Sequence, residues 1–585
     1  MYNEKNLLKG EKMKKSFKSY LAIGSMLFGL FFGAGNLIFP VLMGQLSGQN
    51  YVPALIGFLT TAVGMPFLGV LAVGYSKSED LLDMTKKIGR GYGYFFTICL
   101  YLTIGPFFAL PRLSTTSFEV GISSKIPESK TAIILLAFTF VFYLVALLLA
   151  LNPNKIMTYL GKVLNPMFLI VLSVLLVFTF IKPMGDASLQ PVTDIYQNSP
   201  FSKGFVEGYN TMDVLAALAF SVIVINSIRQ IGVNDPGEIV KYTIKSGIVT
   251  VVLMAVIYGS LVYMGATSLG VLSPAENGGI ALYDISKYFL GSMGQILLAI
   301  IVTVACLKTA IGLITACSEV FNKIFPKVSY KKFAVAIAIV SFIISNVGLS
   351  QIIKLSLPVL IFLYPLSIAM IFLVLSSKLF KNDMTVFRIT LVFTAIASMF
   401  DVFGVLPEGL KNTKFVQGAL SFASENIPLY DISFGWVVIT LVGFVFALIV
   451  RQLKNKNLHL LRKFSLVLQI IASIIMFQGI FQYYISRENL FVPIFGLFIF
   501  IISIAFRYVI LKNNFYVQKL QKTKAAMTLS RFGTILAFLA MYFLPNMYFL
   551  NTIVGGILFN LGVLLNDRYL KYYTEVEYNE YKKNN

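Results

Sequence analysis

Charge is scarce in this sequence: of 585 residues, 13% are Asp, Glu, Lys or Arg, against 57% hydrophobic. A soluble chain carries about twice that charged fraction, so a water-soluble globular fold is excluded. Histidine is scarcer still. His459 is the single one, and it falls in the basic linker NKNLHLLRK, 455–463, where it reads as a solvated loop residue. With one loop histidine and scattered acids, no nucleophile–base set or metal cluster can be assembled, so catalytic residues, an organic cofactor and a firm metal site are not expected. The three cysteines, Cys99, Cys306 and Cys317, are odd in number and lie inside apolar runs. They lack metal-ligand spacing, which leaves core packing. A repeated filter or rings of charge, the marks of a channel, are also missing.

What is abundant is hydrocarbon. Apolar runs of about 20 residues recur along the whole chain, each long enough to cross a bilayer. Read as helices, they fall at 20–43, 52–75, 92–120, 131–151, 158–181, 209–231, 246–269, 291–321, 333–349, 353–376, 386–405 and 431–450. Further runs follow at 464–485, 490–511, 532–546 and 548–566. The expectation is an all-α polytopic membrane protein of about sixteen spans. The first run is longer than the apolar part of a signal peptide and ends without a small-x-small site, so no cleavable leader is expected.

The net charge of +22 does not point to nucleic acid, because of where the basic residues sit. Lys5, Lys9, Lys12, Lys14, Lys15 and Lys18 precede the first span. Every second connection after it is basic, beginning with Lys77, Lys86, Lys87 and Arg90, then Lys155 and Lys162, then Arg229, Lys241 and Lys245. The first intervening connection, GQLSGQNY, has no basic residue. This alternation is the positive-inside pattern and places both termini in the cytoplasm, with attraction to anionic lipid of the bilayer as a secondary effect.

Several residues interrupt the apolar pattern. LFGLFFGAGNLIFP, 27–40, puts Gly29, Gly33, Gly35 and Pro40 inside the first span. Small residues at that density suit a packing face between helices. They equally suit a helix that unwinds at Gly33-Ala34-Gly35. Unpaired backbone at membrane depth is tolerated only beside protein or a wet cavity, where it can hold an ion or a charged substrate group. In VACLKTAIGL, 304–313, Lys308 stands near the middle of an apolar run, where an ammonium is costly. Arg112 and Glu119 lie seven apart near the outer end of the third span, and Asp213 opens the sixth at the same depth. A charge pair between Arg112 and either acid could gate an external vestibule. Glu319 and Asp401, close to helix ends, more simply reach the interface.

These stretches together resemble the branched-chain amino acid:cation symporter family. The residues that carry the resemblance are FFGAGNLIFP, GPFFALPRLSTTSFEVG at 105–121, EGYNTMDVLAALAFSVIVINS at 207–227, VACLKTAIGLITACSEVF at 304–321 and LSQIIKLSLPVLIFLYP at 349–365. It covers roughly 16–455 and leaves 456–585 as a C-terminal membrane extension of four spans, so the chain divides into a core, 1–455, and that extension. The resemblance implies a LeuT-type core of twelve helices, the first ten forming two inverted five-helix repeats at about 20–181 and 209–376. The first and sixth helices would break at mid-membrane to make the site. It further implies import of leucine, isoleucine and valine across the cytoplasmic membrane by symport with a cation. The rival reading is an amino-acid-sensing transceptor that signals through the C-terminal spans. One departure is visible: no glycine lies between Gly208 and Gly232, so a break in the sixth helix must rest on Asn210, Asp213 and the alanines at 216, 217 and 219.

Carried onto these positions, the resemblance implies that backbone N–H groups of Ala34 and Gly35 receive the substrate carboxylate. Asn36 would offer its amide oxygen to a cation or to the substrate amine. Ala216, Ala217 and Phe220 would cup the branched side chain, or else simply pack the bundle. The cation site of the superfold, an A-x-x-[ST]-[ST] pattern facing carbonyls of the first helix, falls on Ala305, Lys308 and Thr309, with Gly29 and Phe32 opposite. Lys308 stands where a small uncharged residue is usual, so its ammonium could fill the space of a sodium ion and lose and regain a proton during the cycle. Coupling to protons rather than sodium is therefore expected. The plainer alternatives are that Lys308 snorkels or pairs with an acid, and that a sodium ion sits at these residues.

Overall fold

A backbone surrounded by hydrocarbon must pair its own N–H and C=O groups, and an α-helix does so locally. The computed structural model describes residues 17–33, 35–76, 78, 80–123, 126–151 and 165–456, and among them every regular element is helical. Among the described residues, seven helices are long and apolar enough to cross a membrane, or eight if the bent pair within 213–230 is one span. The expected spans 464–485, 490–511, 532–546 and 548–566 lie outside the described residues, as does the start of 158–181.

The chain opens with α1 (Phe17–Phe31) and α2 (Gly35–Ser47), which stop and restart around Phe32 and Gly33. Then α3 (Tyr51–Leu59) runs through a wide turn at Thr60–Gly64 into α4 (Met65–Tyr75). The short α5 (Leu81–Ile88) is capped by Asp80, whose carboxylate accepts from the Asp83 N–H at 2.7 Å. Next, α6 (Arg90–Leu102) passes through a second wide turn, Thr103–Phe107, into α7 (Ala109–Gly121). That interruption of the third span was not expected. Its cause is the Gly105-Pro106 pair, since proline lacks an N–H and Gly105 leaves helical geometry at φ −94°, ψ −122°.

Further along come α8 (Glu128–Ala150), α9 (Asn165–Ile181), α10 (Pro200–Glu207), α11 (Asp213–Gln230) and α12 (Pro236–Ser268). The series ends with α13 (Gly278–Ile324), α14 (Tyr330–Ser345), α15 (Leu349–Leu375), α16 (Met384–Gly404), α17 (Lys414–Asn426) and α18 (Gly435–Lys456). Helix α13 starts before the expected 291 and turns at Gly291, whose φ of 62° belongs to the left-handed region. Helix α12 begins ten residues ahead of the expected 246. The sixth span, expected at 209–231, is two helices, α10 and α11, with a turn between them.

By internal contacts the chain divides into two units, Met1–Leu406 with Ala423–Ile449, and Pro407–Phe422 with Val450–Asn585. All helices that bear on the candidate site belong to the first. Its packing depends on glycines at two crossings. Where α2 meets α12, a Cβ on Gly44 would lie 2.1 Å from the Val262 carbonyl oxygen, and one on Gly265 would lie 2.0 Å from that of Val41. Where α3 meets α10, a Cβ on Gly57 would lie 1.9 Å from the Phe201 oxygen, and one on Gly204 would lie 1.9 Å from that of Ala54. Such backbone-to-backbone approach between small residues is how membrane helices gain packing energy without a hydrophobic effect. On the outer side, α8 exposes Ile133, Phe140, Val141 and Leu148, a surface that hydrocarbon rather than water accommodates. Cys99, Cys306 and Cys317 are free thiols, the last two buried.

Candidate substrate site

The two helix interruptions meet each other. At the first, α1 ends at Phe31, with the Phe32 N–H still reaching the Phe28 carbonyl at 2.8 Å. The next donor, Gly33 N–H, has no helical partner and donates instead to Asn36 Oδ1 at 2.8 Å. At the second, α10 ends at Glu207, residues Gly208–Thr211 wind into a tight turn, and Met212 takes a left-handed conformation with φ 60°, ψ 14°. The Thr211 hydroxyl donates to the Gly208 carbonyl at 2.8 Å, adding a side-chain contact inside the turn. A non-glycine residue in that region costs on the order of 1–2 kcal/mol, so surrounding contacts must hold it there. The interruptions touch at Gly35, where a Cβ would lie 3.7 Å from Thr211 Cα.

Helix α11 begins at Asp213, a carboxylate only 2% exposed. Asn36 Nδ2 donates to Asp213 Oδ2 at 2.7 Å and also to the Tyr258 hydroxyl, which itself donates to Asp213 Oδ2 at 3.2 Å. The two broken helices are thus tied through a buried network that includes α12. Asp213 stands at the positive end of the α11 dipole, which favours a negative charge. Opposite in sign is Arg112 of α7, 4% exposed. Its Nη1 donates to the Asn210 carbonyl at 2.7 Å, inside the second interruption, and its Nη2 donates to the Ser356 hydroxyl on α15. The guanidinium lies 5.3 Å from the centroid of the Phe39 ring on α2, within range of a cation–π contact. Tyr209 and Tyr364 stack beside it with centroids 4.3 Å apart.

The structure distributes the sequence-expected residues unevenly. Gly35, Asn36 and Asp213 come together, whereas Ala34 lies outside the described residues. The Asn36 amide oxygen, expected to face a cation or an amine, is taken by the Gly33 N–H. Ala217 is fully buried and faces α4, its Cβ 3.6 Å from where a Cβ on Gly69 would be; Phe220 is buried and Ala216 partly exposed. Arg112 and Asp213 both border the second interruption, yet neither forms an ion pair within 4 Å of the other or of Glu119. Glu119 lies instead against the start of α13, its Cβ 2.9 Å from a Cβ built on Gly279.

Of the cation-coupling set, Gly29 and Phe32 lie at the end of α1, which packs on α12 and α11. Ala305, Lys308 and Thr309 lie on α13, whose principal neighbour is α7. The Thr309 hydroxyl donates to the Ala305 carbonyl of its own helix at 3.1 Å. Among the described residues, no three of His, Cys, Asp and Glu are grouped as a metal site would require. Tyr258 and Ser356 were missed in the sequence. The serine sits in a stretch already singled out, LSQIIKLSLP, but nothing local marks the tyrosine.

Comparison with known proteins identifies relatives of this chain. A family profile described as Branched-chain amino acid transport protein matches residues 16–454. The branched-chain amino acid permease BrnQ of Lactobacillus delbrueckii subsp. lactis is 43% identical over 449 residues, 76% of this chain and 100% of that protein. The BrnQ permease of Bacillus subtilis is 40% identical over 445 residues, 76% of this chain and 99% of its own length. Among solved structures, MhsT in complex with L-phenylalanine aligns with a TM-score of 0.47 at 16% identity, over 74% of this chain and 98% of that one.

Proposed function

The chain belongs to the branched-chain amino acid transport family, and on that premise we propose that it imports leucine, isoleucine and valine across the cytoplasmic membrane by symport with a cation. It is a multi-pass membrane permease and not an enzyme. One observation carries the site reading. Two interrupted helices meet at Gly35 and Thr211 and are joined by the buried Asn36–Asp213 hydrogen bond, so polar backbone and side chains converge where hydrocarbon would otherwise forbid them. An amino acid is small, doubly charged at one carbon and apolar at the other end, and a polar seam between apolar helices suits it.

The architecture we favour is the LeuT-type arrangement of twelve helices with two inverted repeats. The second repeat then starts with α10 at Pro200 rather than at 209. The C-terminal membrane extension expected at 456–585 lies outside the described residues apart from Lys456, and the cytoplasmic placement of both termini is the reading that the alternation of basic connections supports. The coupling ion we favour is the proton, because Lys308 stands in the sequence pattern where a sodium ion would need oxygen ligands, and its ammonium can lose and regain a proton during the cycle. Radiolabelled leucine uptake into proteoliposomes, with sodium and proton gradients imposed separately, tests the reading. Accumulation driven by an inward proton gradient and indifferent to replacing sodium with potassium supports it. Strict sodium dependence overturns the assignment of Lys308, and absence of leucine uptake under either gradient overturns the function.

A further inference from the structure

We propose that Arg112 and Asp213 receive the two charged ends of an α-amino acid zwitterion, the carboxylate on Arg112 and the ammonium on Asp213, with the interrupted turn 208–212 between them. The inference rests on the transport reading and names the groups that recognise its substrate. It starts from a mismatch. A guanidinium and a carboxylate, 4% and 2% exposed, border the same interruption: Arg112 holds the Asn210 carbonyl, and Asp213 follows Asn210 by three residues. Uncompensated charges buried this deeply are costly, and direct pairing is the usual remedy. Yet they form no ion pair within 4 Å with each other or with any described residue.

Their neutral contacts leave capacity unused. Arg112 Nε has no hydrogen-bond partner, although its two Nη atoms are both engaged. Asp213 accepts from Asn36 and Tyr258 on Oδ2, and its carboxylate also meets the Thr211 hydroxyl, so its partners are all neutral. Asn210 Oδ1 is buried without a partner as well, while its Nδ2 donates to Glu207 Oε1 at 3.2 Å, a carboxylate that faces Arg112 from beyond ion-pair distance. Buried polar atoms left open in this way are exceptions, and a polar guest between Arg112 and Asp213 accounts for them. A zwitterion, with ammonium and carboxylate on one carbon, compensates both charges at once and adds no net charge to the membrane interior. An amine alone or a carboxylic acid alone would leave one buried charge uncovered. This placement differs from capture of the carboxylate by backbone N–H groups at the first interruption, where Asn36 Oδ1 holds the Gly33 N–H.

The test uses the purified full-length protein and competition against radiolabelled leucine. The competitors are 4-methylpentanoate, which is leucine without its amine, and 3-methylbutylamine, which is leucine without its carboxylate. Each is expected to compete at least about tenfold more weakly than leucine, as the loss of a charge-assisted hydrogen bond implies. Arg112→Gln should weaken leucine by at least about tenfold while leaving 3-methylbutylamine unchanged. Asp213→Asn should weaken leucine likewise and leave 4-methylpentanoate unchanged. The analogue comparison on the unmodified protein stands even where a variant fails to fold. Competition by either analogue as strong as leucine overturns the proposal, and so does equal weakening of leucine and both analogues in the variants. A protein that takes up no leucine at all would instead strike at the transport reading.

Discussion

Replacing Gly204 by alanine tests whether the second interruption is held in place by the backbone contact of α10 with α3. In an ordinary helix this change is favourable by about 0.5–1 kcal/mol, because alanine loses less backbone entropy. Here the added Cβ would lie 1.9 Å from the Ala54 carbonyl oxygen, 2.7 Å from its carbon and 2.9 Å from its Cα. Ordinary contact begins at 3.4 Å, so the shortfall is about 1.5 Å, and the obstacle is backbone that cannot swing aside. The facing glycine offers no relief, since a Cβ on Gly57 meets the Phe201 oxygen at the same 1.9 Å. The helices must therefore separate, at an overpacking cost of about 1–3 kcal/mol that exceeds the helix-propensity gain.

The break at Gly208 begins four residues beyond Gly204, so the separation also displaces the turn that Arg112 grips through Asn210. Misplacement on the order of 1 Å costs up to about a hundredfold in well-ordered sites, so leucine uptake per inserted protein should fall at least about tenfold. The assay pairs the thermal midpoint of purified Gly204→Ala with its uptake in proteoliposomes. A midpoint lowered by a few degrees together with reduced uptake is expected. A midpoint at or above that of the unmodified protein, with normal uptake, would refute the argument.

Other substitutions probe the remaining contacts. Gly35→Leu is expected to abolish uptake while leaving insertion and oligomeric profile intact, since its side chain would press on the Phe39 ring, 3.1 Å from the Cβ position, and on Thr211; normal transport by a stable variant would remove Gly35 from the site. Met212→Val should lower stability by on the order of 1–2 kcal/mol relative to Met212→Leu, because a β-branched residue takes the left-handed conformation at greater strain while both keep the buried site apolar; equal midpoints would count against strain at the break. Lys308→Thr is expected to confer partial sodium dependence on uptake, measured by exchanging sodium for potassium, and a variant that still ignores sodium would mean that Lys308 does not occupy a cation position.

The first interruption was legible because its cause is local: Gly33 and Gly35 stand inside an apolar run, and the break falls beside them. The second was only half legible. PFSKGFVE, short and polar, carries no long apolar run, so the sequence places the sixth span at 209–231 with Gly208 outside it. The break then closes on a left-handed methionine, which no propensity would nominate. Arg112 and Asp213 stood out as embedded charges, but their partners come from afar. Asn36 is 177 positions from Asp213, and Ser356 is 244 from Arg112, so only the packed bundle reveals which groups meet. Ala217 shows the converse: its place one turn from Phe220 suggested a cup, while the close approach of Gly69 on α4 claims that face for packing.

The most direct measurement is an experimental structure of the full-length protein determined with leucine present. The account predicts leucine at the meeting of the two interruptions, its charged carbon beside Arg112 and Asp213, with Asn36 and Tyr258 still tied to the carboxylate. Leucine bound elsewhere in the bundle, with the interruptions at 32–33 and 208–212 unchanged and unoccupied, would contradict it.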